Sequence, residues 1–70
     1  MEMELALIIA YAIIRYGSKA LDLIKPRLGS LWPSFYEAYK AGPVTLAKWL
    51  VAHSALIPVI YGVLKAAGMA

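Results

Sequence analysis

Apolar residues recur at helical spacing through the first third of the chain: Leu5, Ile8, Ile9, Ala12 and Ile13, then Tyr16, Ala20, Leu23 and Ile24. At 100° per residue, Glu4, Arg15, Lys19 and Asp22 fall within about 60° of one another. The pattern predicts one helix, about 3–24, with a single polar stripe and an apolar remainder. Gly17 within it costs about 1 kcal/mol against alanine and predicts the close approach of another backbone. Pro26 removes a donor and pushes Lys25 out of the α region, so the helix is expected to stop near Ile24. A turn over about 25–33 then follows, in which Gly29 reverses the chain. Ser34 and Glu37 have the spacing of a capping box, which starts a second helix at Ser34; Ser30 is a rival cap that leaves Pro33 in the first turn. The helical pattern continues to about residue 67, interrupted at Gly42-Pro43 and kinked at Pro58. No repeat, low-complexity segment or strand alternation competes with it.

At 1.5 Å per residue the two segments are about 30 Å and about 50 Å long. Joined by the turn, they predict an all-α fold: a kinked antiparallel helical hairpin forming one domain over 1–70. Two helices alone cannot enclose a core. The expectation is therefore that the remaining apolar faces are covered by copies of the same chain, giving a helical homopolymer, or by lipid.

Composition sharpens that expectation. The apolar share is 63% and the mean hydropathy +0.72, against about 45–50% apolar residues in ordinary soluble domains. With no cysteine and one histidine in 70 residues, disulfides are excluded and a protein-only zinc site is not expected; no cofactor is implied. Asparagine and glutamine are also absent, as in proteins from very hot environments, which predicts thermostability. The first residues, MEMELALIIAYAII, carry acids where a secretory signal carries bases, so no signal peptide is expected. A membrane span needs about 20 apolar residues. Leu5 to Ile14 offers ten, and Trp49 to Leu64 offers sixteen, with His53 and Pro58 inside and Lys48 and Lys65 at its ends. Neither is a comfortable span, because each central charge costs about 2.5–3.5 kcal/mol on insertion.

Catalytic chemistry finds no support. Glu2 and Glu4 lie at the terminus, Asp22 and Glu37 flank the turn, and no carboxylate pair is set for acid–base work. His53 lies in an apolar run without a second ligand nearby and reads as a packed or interfacial side chain. The serines, including Ser18 and Ser54, read as turn, cap or helix residues. An enzyme is not expected.

Seven Lys and Arg against four Asp and Glu give +3, which suits nucleic acid or an anionic membrane. Arg15, Lys19, Lys25, Arg27, Lys40 and Lys48 are the candidate phosphate contacts. Their neighbours are not the Asn, Gln and Arg sets that read base edges, so they would position double-stranded DNA without reading it. The alternative is a solvated polar edge. Trp32, Phe35, Tyr36 and Tyr39 gather near the turn, where packing in a core or between subunits competes with stacking on single-stranded bases.

Three resemblances accompany these residues. Arg15-Tyr16-Gly17-Ser18-Lys19-Ala20 resembles the basic-Tyr-Gly-Ser-Lys-Ala segment of leaderless, aureocin-like and lacticin-like bacteriocins, small helical peptides that permeabilise membranes; the match covers six residues, and this chain has an acidic start and fewer lysines. In overall character (small size, apolarity, bent hairpin, modest basic set) the chain is similar to the major coat protein of bacilliform archaeal viruses of the clavavirus type. That resemblance implies a coat subunit of a rod-shaped virion, polymerised around double-stranded DNA. A third likeness is to the two-span pilin of conjugative or DNA-import pili, with a basic loop like Lys25-Pro26-Arg27. The leading expectation is thus a capsid protein located in the virion. The alternatives are a pilin at the cell surface or a secreted, membrane-permeabilising peptide.

Overall fold

The outward and inward faces of the first helix are set by its 3.6-residue period. A computed structural model, which describes residues 2–70, has α1 over Glu2–Tyr16, with Ala6, Ile9, Ala10 and Ile13 buried. These four are spaced i, i+3, i+4, i+7, the stripe a core-facing helix requires. Four further helices follow: α2 over Ser18–Leu28, α3 over Trp32–Lys40, α4 over Pro43–Ala52 and α5 over Ile57–Ala66. Short 3-10 turns at Gly29–Leu31 and Ser54–Leu56 join α2 to α3 and α4 to α5. The described residues contain no strand, so the all-α class is observed.

The joints differ from the sequence expectation in instructive ways. The helix expected over about 3–24 is two helices, broken at Gly17, whose φ of +58° lies in the left-handed region. A Cβ added there meets nothing within 4 Å, so this glycine serves backbone conformation and not the close approach its position suggested. Pro26 does not end the helix: α2 runs through it to Leu28 and stops at Gly29, φ +55°. The ring lies two residues from the helix end, and both Pro26 and Asp22 are exposed, so water can satisfy the Asp22 carbonyl that Pro26 leaves without a donor. Most of the stretch expected as a turn over 25–33 is therefore helical.

The second half is divided as well. Helix α3 begins at Trp32, with Pro33 in its first turn, and neither Ser30 nor Ser34 caps it: the N-cap position is Leu31, without a side-chain bond. Gly42, φ +111°, separates α3 from α4, which opens on Pro43, as the Gly-Pro pair predicts. The sharp bend lies at His53, where the axes of α4 and the following Ser54–Ala66 segment meet at 100°. Pro58 stands in the first turn of α5, a position that suits proline, and does not kink a continuous helix. Among the described residues no single helix is long and apolar enough to cross a membrane, although the bent pair passes by length and composition.

The halves fold face to face. Helix α1 packs on α4, α2 on α5, and α3 on α4. Ala6 and Ala10 on α1 and Ala47 on α4 are fully buried, and small side chains at a crossing let two helices approach closely. Sixteen buried apolar residues from all five helices form one cluster, with Phe35, Ile13, Leu46, Leu50 and Ile60 fully enclosed. No polar or charged side chain is buried among the described residues. The Cα radius of gyration, 10.4 Å, is near the about 11 Å of an independently folded domain of this length. Five short helices therefore close within one copy the core that two long helices would have left open.

Candidate functional site

All seven cationic side chains are exposed, and their positions follow a rule. Arg15 lies in the last turn of α1, Lys25 and Arg27 in that of α2, Lys40 in that of α3 and Lys65 in that of α5. Cations there offset the partial negative charge of the last carbonyls, which supplies a structural role for five of the seven. Glu2 and Glu4 complement it in the first turn of α1. Lys19, in the first turn of α2, and Lys48, in the middle of α4, have no such role.

Four cations also stand over aromatic rings. Arg15 is 5.7 Å from the Tyr16 centroid, Lys25 5.4 Å from Trp32, Lys40 5.2 Å from Tyr36 and Lys65 5.3 Å from Tyr61. Such pairs contribute about 0.5–1 kcal/mol at exposed sites. Sequence reasoning missed Lys65, although the i, i+4 spacing of Tyr61 and Lys65, shared by Tyr36 and Lys40, was there to find it. The pairing of Lys25 with Trp32 joins the end of α2 to the start of α3 across the 3-10 turn, and no simple periodicity reveals it.

The six candidate phosphate contacts are distributed unevenly. Lys25 and Lys40 belong to one aromatic run, in which Trp32 stacks on Tyr36 at 5.6 Å and Tyr36 on Tyr39 at 5.8 Å. Lys40 is also paired with Glu37 at 2.9 Å, both side chains being more than half exposed, 51% and 73%. The hydrogen bond from Lys40 to the Glu37 carboxylate, with its charge, raises the ammonium pKa above the ordinary value. Glu37 thus reaches forward along α3 and does not complete the capping box with Ser34.

The aromatic run continues inward. Trp32 stacks on Phe35 at 5.6 Å, Phe35 meets Trp49 edge-on at 5.3 Å, and Trp49 stacks on His53 at 3.9 Å. The Ser34 hydroxyl, read from sequence as a cap, accepts a 2.7 Å hydrogen bond from Trp49 Nε1 and ties α3 to α4. His53 Nδ1 lies 2.8 Å from the Trp49 carbonyl; a carbonyl only accepts, so this nitrogen carries the proton. His53 therefore closes the end of α4. No group of three or more metal-ligating side chains and no pocket occurs among the described residues.

The outward face of α1 is mixed. Ile8 and Tyr11 are each 57% exposed and Ile14 36%, between the charges of Glu4 and Arg15. Val44 on α4, the helix against which α1 packs, is 53% exposed. The polar stripe expected on helix 1 is thus interleaved with apolar side chains. No family model, curated protein or solved structure matches the chain.

Proposed function

We propose that this protein acts at membranes, as a small cationic helical protein that binds anionic bilayers and permeabilises them. The observation that carries the reading is the joint exposure of seven cations and eight large apolar side chains on a domain whose core is already closed. A subunit that depended on its polymer for a core would leave that core open in a single copy. Here the exposed apolar groups are an addition to a complete core, and they share the surface with the positive charges. An anionic bilayer matches both: each Lys or Arg near its surface contributes about 1 kcal/mol, and burying an isoleucine or valine side chain about 1.5–3 kcal/mol. The resemblance of the segment Arg15–Ala20 to bacteriocins agrees with the same reading.

The test is dye release from vesicles. Release is expected from vesicles rich in phosphatidylglycerol at low salt, with little from pure phosphatidylcholine. It should fall steeply as salt rises and the screening length drops from about 10 Å at 0.1 M to about 3 Å at 1 M. Absence of both binding and release with anionic vesicles at low salt would overturn the reading.

The second reading is the coat subunit of a rod-shaped DNA virion. It is favoured by the exposed stripe Ile8, Tyr11 and Ile14 on α1, which another copy would cover, and by the exposure of all six candidate phosphate contacts. It predicts lipid-free particles holding nuclease-protected duplex DNA, whereas stoichiometric phospholipid and no DNA would exclude it.

A further inference from the structure

Between Lys25 and Lys40, two of the cations that stand in the last turns of helices are joined by a run of aromatic rings. Lys25 Nζ sits over Trp32, Trp32 stacks on Tyr36, and Lys40 Nζ sits over Tyr36. Two ammonium groups therefore flank a stacked aromatic pair along one edge of the molecule, drawn from the end of α2 and the outer face of α3. Tyr36 is 38% exposed and Trp32 half-buried, while both lysines are exposed. We propose that this α2–α3 edge is the surface by which the protein docks on a bilayer, with Lys25 and Lys40 taking anionic phospholipid headgroups and Trp32 and Tyr36 lying at headgroup depth. The proposal rests on the membrane reading above and adds to it which side faces the lipid.

Three features of the edge argue for this occupant. Its charge is complementary: outward ammonium groups meet phosphate, and polybasic segments next to a membrane bind through that attraction. Its rings are of the two types that collect at membrane interfaces, where an apolar body and a polar tip suit the headgroup layer. Its ring faces are largely occupied from within. Trp32 carries Phe35, Tyr36 and Lys25 against it, and Tyr36 carries Trp32, Tyr39 and Lys40, with interplanar angles of 21–30° within the stacks. A single-stranded base needs an open face on which to stack, and each of these two rings already has three partners.

Glu37 gives the surface a built-in competitor. Its carboxylate holds Lys40 at 2.9 Å and is 73% exposed, so an arriving headgroup must displace it and meets its negative charge. Removing that charge by Glu37→Gln should strengthen binding to anionic vesicles severalfold, although it lowers no other barrier in the molecule.

The experiment compares vesicle partitioning of the whole protein and three variants, using equal parts phosphatidylglycerol and phosphatidylcholine at low salt, with the fold of each checked by circular dichroism. Lys25→Gln with Lys40→Gln is expected to weaken partitioning about 25-fold, at about fivefold per cation. Lys48→Gln with Lys65→Gln removes the same net charge from other elements and should weaken it only a few-fold. Glu37→Gln should strengthen it. Equal loss in the two double variants would overturn the docking edge while leaving the membrane reading intact. Failure of the unaltered protein to bind would overturn both. Loss of single-stranded oligonucleotide binding by the Lys25/Lys40 variant, with vesicle partitioning unchanged, would assign the edge to nucleic acid and overturn the proposal.

Discussion

Replacing Phe35 with alanine tests whether one copy of the chain holds itself together. Phe35 is fully buried, stacked on Trp32 at 5.6 Å and edge-on to Trp49 at 5.3 Å, and it joins α3 to α4. Losing its buried ring costs about 3–5 kcal/mol through transfer and cavity terms, and each aromatic contact adds about 0.5–1.5 kcal/mol beyond area. The whole domain, at about 0.05–0.15 kcal/mol per residue, has about 4–10 kcal/mol to lose. Phe35→Ala should therefore remove about half the stability and lower the melting temperature by about 15–30 °C. The assay is thermal and urea unfolding followed at 222 nm without lipid, at protein concentrations a hundredfold apart. Midpoints should shift with the substitution and not with concentration. A loss below about 1 kcal/mol, or an unaltered protein whose midpoint rises with concentration, would show that the fold depends on something beyond the single-chain core.

Three further outcomes follow from the joints. Gly17→Ala should cost about 1–3 kcal/mol because only the positive φ is at stake, the added methyl group having free space, whereas D-alanine placed there by synthesis, for which this φ is an ordinary one, should cost less; thermal melts of both isolate the backbone strain. Pro26→Ala should stabilise by at least about 1 kcal/mol, since it restores a donor inside α2 and relieves the clash with the preceding turn; an unchanged midpoint would restore the helix stop near Ile24. Ser34→Ala should cost about 1–2 kcal/mol by leaving the part-buried Trp49 N–H without its partner, with a change in tryptophan emission, and an unaltered spectrum would refute that bond's importance.

The class of this fold was legible because period 3.6 runs through nearly the whole chain, and the Gly42-Pro43 joint was legible because that pair rarely continues a helix. Pro26 misled because its cost is paid at a solvent-facing carbonyl, and nothing local announces that tertiary packing of Ile24 and Leu28 will carry α2 past it. Gly17 was seen, but its spacing could not say whether it served a neighbour or a dihedral. The capping-box reading failed for a non-local reason: Ser34 is bound to Trp49, fifteen residues away, and Glu37 to Lys40. The cations were all identified as exposed candidates except Lys65. What spacing could not give was the company of Lys25, since it stands over Trp32 only once the 3-10 turn has brought the end of α2 to the start of α3.

The division into short helices bears on how long the molecule survives in hostile surroundings. The longest helix has 15 residues and the others 9 to 11, and isolated helices shorter than about 12–15 residues are marginal in water. Each therefore owes its order to the others across the shared cluster. A protease that cut once at the Gly42 joint would leave two fragments, neither with enough partners to stay helical. Until such a cut the chain offers few stable half-open forms, so its lifetime among proteases is governed by openings of the entire domain and not by the fraying of a part.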